Sequence, residues 1–231
     1  MNLKRHIFSS QSDLTNNLAQ SILGQLSDAI QERGLATLAV SGGSTPVPLF
    51  QALSRIDFDW AKVTIVLVDE RWLPNDDERS NERLVRQHLL RNHASDARLI
   101  KVYSEAPSIE KGVADLEQRL DNLSWPLDVT ILGMGTDGHT ASLFPDGDQI
   151  VSGLDPHGRS RVTPMRAPSV PEDRVSLTLP AISGCPNVVL HITGDEKIAA
   201  LNAAMSSNND NELPIKTVLE ACNDPKLFWA P

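Results

Sequence analysis

The sequence predicts one α/β domain over residues 1–231: a doubly wound, mostly parallel, Rossmann-like sheet flanked by helices. Three observations lead there. Short, wholly apolar runs such as LATLAV (35–40) read as strands buried on both faces. Between them lie segments whose apolar residues recur at the helical period. The alternation of the two types implies parallel strands joined by helical crossovers, and no repeat, low-complexity tract or Gly/Ser linker interrupts it.

In chain order, Leu14, Leu18, Ile22, Leu26 and Ile30 form the stripe of a first helix, with Ser12 or Asp13 as cap and Gly34 as stop. After strand 35–40 a second helix starts at Thr45–Pro46, where proline suits the first helical position. KVTIVLVD (62–69) is the next central strand, followed by a helix from about Ser80 with Leu84, Val85, His88 and Leu89. Ser108 opens another helix, carrying Ile109, Val113, Leu116, Leu120 and Leu123. DVTILG (128–133), RVSLTL (174–179) and NVVLHITG (187–194) read as strands, and 195–206 as a helix. Residues 146–173 are rich in Asp, Gly, Pro and Arg without periodicity and read as a long functional loop.

Composition narrows the function classes. Net charge is −9, which disfavours nucleic acid and anionic membrane as partners. A phosphorylated ligand is repelled by the same surface, so it must meet a local cluster of donors. No apolar run approaches the roughly 18 residues of a membrane span, and the chain reads as cytoplasmic. Cys185 and Cys222 form no CxxC pair and read as buried thiols, with no metal site.

Ligands of open α/β sheets bind beyond the carboxyl ends of the strands. After 35–40 comes Ser41-Gly42-Gly43-Ser44-Thr45-Pro46: glycines for close approach, hydroxyl donors, then a helix N-terminus. The loop suits a phosphate and lacks the lysine of a nucleotide P-loop. After 62–69 comes Asp69-Glu70-Arg71, where the arginine can fork to a phosphate and the carboxylates can orient hydroxyls or a base. After 128–133 comes LGMGTDGHTASLFP (132–145). Its GxGxxG is a literal dinucleotide fingerprint, but Pro145 leaves little room for the required helix. Asp137-Gly138-His139 is the more specific feature: histidine is a general base near neutral pH, and a carboxylate fixes its tautomer. Arg174 and Lys197, with Arg71, would supply the local positive field.

With these motifs in hand, the chain resembles the 6-phosphogluconolactonase family, related in fold to the glucosamine-6-phosphate deaminases. SGGSTP, VDERWLPNDDERSNERLV, LGMGTDGHTASLFP, APSVPEDRVSLTLPAI and GDEK fall in the family's order and cover nearly the whole chain. The resemblance implies a sugar phosphate lactone as substrate, held by Ser41–Thr45 with Arg174, Lys197 and Arg71, and His139 as the base that activates water. The deaminases carry a catalytic-site glutamate five residues after the corresponding histidine; here it is Phe144, which argues for lactone hydrolysis.

A δ-lactone is an activated ester, so neither cofactor nor metal is called for. His139, oriented by Asp137, would deprotonate water and then protonate the departing ring oxygen. Backbone N–H groups around Gly42–Ser44 or Gly135–Gly138 are the alternatives for the oxyanion donors. Rival readings are a sugar-phosphate isomerase or deaminase, a non-catalytic sugar-phosphate sensor and a dinucleotide-dependent reductase. Monomer and small homo-oligomer both remain open.

Overall fold

A computed structural model of the chain describes residues 3–206 and 213–231. Its main sheet contains β1 (Lys4–Ile7), β2 (Ala36–Val40), β3 (Val63–Leu67), β5 (Arg98–Leu99), β6 (Val129–Leu132), β9 (Val188–Thr193) and β10 (Lys226–Ala230). The spatial order is β1-β10-β9-β6-β2-β3-β5, and every neighbouring pair is parallel. The helices are α1 (Gln11–Arg33), α2 (Val47–Ser54), α3 (Asn81–His88), α4 (Ile109–Leu120), α5 (Ile150–Gly153), α6 (Leu179–Ser183), α7 (Asp195–Ser206) and α8 (Pro214–Ala221).

All five residues of β2 and all four of β6 are buried, as apolar runs covered on both faces must be. From β2 the chain steps outward through β3 to β5, and from β6 it steps the other way through β9 to β10. The reversal falls between β2 and β6, so a crevice opens beyond their carboxyl ends. The SGGSTP loop and the glycine-rich turn before His139 both leave the sheet there.

Several local expectations need correcting. The cap of α1 is Ser10, whose side chain accepts from the amide of Asp13, and Gly34 stops the helix at φ 81°. The second helix begins at Val47 with Pro46 as its cap, so the whole SGGSTP stretch stays outside it. The stretch 62–69 breaks at Val68, whose amide donates to Val40 O of the main sheet while its carbonyl accepts from Leu177 N. Beyond that residue the chain enters a second, antiparallel sheet of β4 (Asp69–Arg71), β8 (Arg174–Leu177) and β7 (Val162–Met165), in the order β4-β8-β7. RVSLTL therefore forms a strand outside the parallel sheet. The expected loop 146–173 contains α5 and β7; Pro164 lies in β7, which is an edge strand and tolerates the missing donor.

Candidate active site

The carboxyl ends of β2, β4, β6 and β9, together with the amino end of β8, enclose a cavity of about 350 Å³. Of the residues expected to form a site, Ser41, Gly42, Gly43, Ser44, Thr45, Asp69, Arg71, Gly135, His139, Arg174 and Lys197 line it. Asp137 and Gly138 stand behind that wall and shape the loop that presents His139.

Loop geometry explains the glycines. Gly43 has φ 87° and Gly138 φ 83°, values that L side chains rarely adopt. Gly42 lies against the Asn81 carboxamide, and a Cβ there would collide with it. Among the described residues, none of the amides of Gly42, Gly43, Ser44 and Thr45 donates to a protein acceptor. They stay available to an anion. By contrast, the amides of Gly135 and Gly138 are spent on His139 O and Gly135 O, both at 3.0 Å, which removes these two glycines as oxyanion donors. Ser41 lines the cavity, but its hydroxyl donates to Ile131 O (2.9 Å) and accepts from Gly133 N (3.0 Å). It clamps the two switch-point loops together.

His139 Nδ1 lies 2.6 Å from Asp137 Oδ1, which also accepts from the His139 amide at 3.2 Å. An ionised carboxylate only accepts, so in the neutral imidazole it is Nδ1 that carries the hydrogen and Nε2 that offers the lone pair. The ring of Phe144 packs against the imidazole with centroids 4.6 Å apart.

The second sheet builds the positive wall. Arg71 and Arg174 are directly opposite in the β4–β8 register. Like charges so placed repel. Burial, and then the charge of Arg71, hold the Arg174 guanidinium below its usual pKa. The Nε atoms of both arginines are buried without a hydrogen-bond partner. An anion in the cavity beside them relieves the charge repulsion. Asp69 accepts from the Ser142 hydroxyl at 2.7 Å, and its carbonyl accepts from Asn81 Nδ2 at 2.9 Å.

Glu70 turns away from the cavity. Its carboxylate accepts from the amides of Arg71, Asn81 and Glu82 and from the Ser80 hydroxyl, tying β4 to the start of α3. Burial raises its pKa, and the three amides oppose that rise.

Asn81, Ser142, Val170 and His191 also line the cavity and were missed as site residues. A histidine inside the otherwise apolar run NVVLHITG was the available signal for His191. Among the described residues, no cluster of His, Cys, Asp and Glu is arranged to hold a metal, and no helix is long and apolar enough to cross a membrane.

Fold and cleft together define a doubly wound α/β protein with a cation-walled cavity at its topological switch point. The family profile for glucosamine-6-phosphate isomerases and 6-phosphogluconolactonase matches residues 9–229, and the chain belongs to this family. It is 43% identical over 232 residues, covering 100% of both chains, to a protein of Rhizobium meliloti (strain 1021) named 6-phosphogluconolactonase. A protein of the same name from Mesorhizobium japonicum is 44% identical over 225 residues, covering 97% of this chain and 94% of that one. The crystal structure of a 6-phosphogluconolactonase from Shewanella baltica superimposes with a TM-score of 0.96 at 37% identity, covering 100% of this chain and 98% of that chain.

Proposed function

We propose that the chain is a cytoplasmic enzyme, working as one domain, that hydrolyses 6-phospho-D-glucono-1,5-lactone to 6-phosphogluconate in the oxidative pentose phosphate pathway. The observation that carries this reading is that a carboxylate-oriented imidazole and an anion cradle share one cavity. Full-length similarity to proteins named for that activity supports the choice of substrate.

The phosphate sits on the free amides of Gly42–Thr45, within reach of Arg71, Arg174 and Lys197. Remote binding of this kind fixes the lactone carbonyl relative to the base. His139 Nε2 takes a proton from water as the water oxygen bonds to the carbonyl carbon. Collapse of the tetrahedral adduct breaks the ring C–O bond, and the imidazolium returns its proton to the departing oxygen. Asp137 holds the tautomer throughout and stabilises the imidazolium. Both steps are proton transfers at Nε2, and the electron count closes without a redox partner.

Phe144 occupies the place of the deaminase glutamate and packs at a tilt against His139, which leaves no carboxylate there for amine release. The thiols of Cys185 and Cys222 are free and buried, with pKa values pushed up to about 11 and about 12, so they are unreactive and suited to a reducing compartment.

The test is hydrolysis of freshly generated lactone by the purified protein, corrected for spontaneous opening, alongside ammonia release from glucosamine 6-phosphate. Rapid lactone hydrolysis without ammonia is the expected result. Ammonia release would move the chain to the deaminase branch, and sugar phosphate binding without turnover would make it a sensor.

A further inference from the structure

His191 lies on β9 beside Phe228 of β10, and by the same register its side chain shares a face with Val189 and, across β6, with Ile131. It is 4% exposed and lines the floor of the cavity. Nδ1 alone of its ring nitrogens is sealed from water without a hydrogen-bond partner. An orphaned lone pair is tolerated more readily in protein interiors than an orphaned N–H. The tautomer that fits puts the hydrogen on Nε2, making that atom the ring's donor. Burial, reinforced by the Lys197 charge, brings the imidazole pKa down to about 4, so it is neutral at cellular pH. Lys197, at the start of α7, lines the same cavity.

A buried, uncharged polar ring with an unmet bond costs stability, and an apolar residue would fill β9 better. Retaining such a cost at a cavity wall suits a group whose partner arrives with the ligand. We propose that His191 is a specificity-determining residue that donates from Nε2 to the phosphate-bearing end of the substrate beside Lys197. This rests on the phosphate placement given above. A neutral donor next to a lysine adds a directed bond without further charge repulsion among Arg71, Arg174 and Lys197.

The experiment compares His191→Leu, His191→Gln and Lys197→Ala on the phosphorylated lactone and on unphosphorylated gluconolactone, with melting temperatures for each. Loss of a hydrogen bond to a charged group predicts a KM rise on the order of tenfold for His191→Leu with the phosphorylated substrate, at nearly unchanged kcat. Its melting temperature should hold or rise. The penalty should vanish with gluconolactone, and His191→Gln, which keeps a donor, should recover part of the loss. Unchanged KM in His191→Leu, while Lys197→Ala raises it, overturns the role of His191 alone. Unchanged KM in both removes the phosphate placement and this inference with it. Should the leucine variant fail to fold, His191→Ala, which also lacks a donor, takes its place, and an unaltered KM there together with unaltered discrimination between the two lactones overturns it.

Discussion

A Cβ placed on Gly135 would lie closer than 3.0 Å to Nδ1 and Cε1 of His139, and equally close to Oδ1 of Asp137. The hydrogen-bonded pair occupies the space that the missing side chain leaves. Gly135 has no positive φ, so an alanine there strains nothing in the backbone and acts through the pair alone. Gly135→Ala should therefore lower kcat by about tenfold or more, since misplacing a catalytic group by an ångström is costly, while melting temperature changes little. Kinetics and a thermal melt on the same preparation check it; wild-type kcat would separate the pair's geometry from catalysis.

Removing the imidazole tests the base directly. His139 is partly exposed, with 30% of its side-chain surface open, so His139→Ala should fold normally. General-base assistance is worth about 10²–10⁴-fold, and kcat should fall by that order. Asp137→Asn should cost less, because the amide can still accept at Nδ1 but no longer stabilises an imidazolium. Background-corrected initial rates decide, with a loss in Asp137→Asn equal to that in His139→Ala counting against the division of roles.

The facing arginines lead to a split in the kinetic constants. Arg174→Ala and Lys197→Ala should raise KM for the phosphorylated lactone, with smaller effects on kcat. Arg174→Ala also removes the repulsion from Arg71 and the contact to Glu172 at 3.3 Å, so its stability effect is a small difference of opposing terms. Product binding by calorimetry over a range of salt concentrations should show the wild type losing affinity as ionic strength rises.

Acid stability carries the signature of His191. Its ring is held to a pKa of about 4 in the fold against 6.5 in the open chain. A depressed histidine pKa means that the unfolded state takes up the proton first. Stability is thus complete above pH 6.5 and falls as pH drops toward 4, by on the order of 3 kcal/mol at the lower limit. Arg71, Arg174, Asp69 and His139 line the same cavity, and Lys197 is the one whose charge adds to burial in lowering the His191 pKa. In urea melts between these pH values, His191→Leu should show a shallower loss than the wild type. Parallel curves would show that another group governs the acid limb.

Much of the fold was written locally. Apolar runs at 35–40 and 128–133 became β2 and β6, and the caps Ser80 and Ser108 stand where the helical stripes begin. Strands such as β1, β5 and β7 were illegible because they are short, polar or interrupted by Pro164, and take their conformation from distant partners. The candidate site followed the same division: loops that leave buried strands are visible as glycine-rich turns, whereas Asn81 and Ser142 gain meaning only through the atoms they meet.

Local sequence suffices to show that two glycine-rich turns, one of them carrying an Asp–His pair, follow buried strands of a parallel sheet, because periodicity and turn chemistry are properties of neighbouring residues. Long-range pairing, by contrast, sets Val68 as the point where the chain passes from one sheet to another, brings Arg71 opposite Arg174, and buries His191 in the cavity floor. Those outcomes depend on pairings between segments far apart in the chain, where hydrogen-bond register and burial are settled by the packing of the whole molecule and leave no local trace.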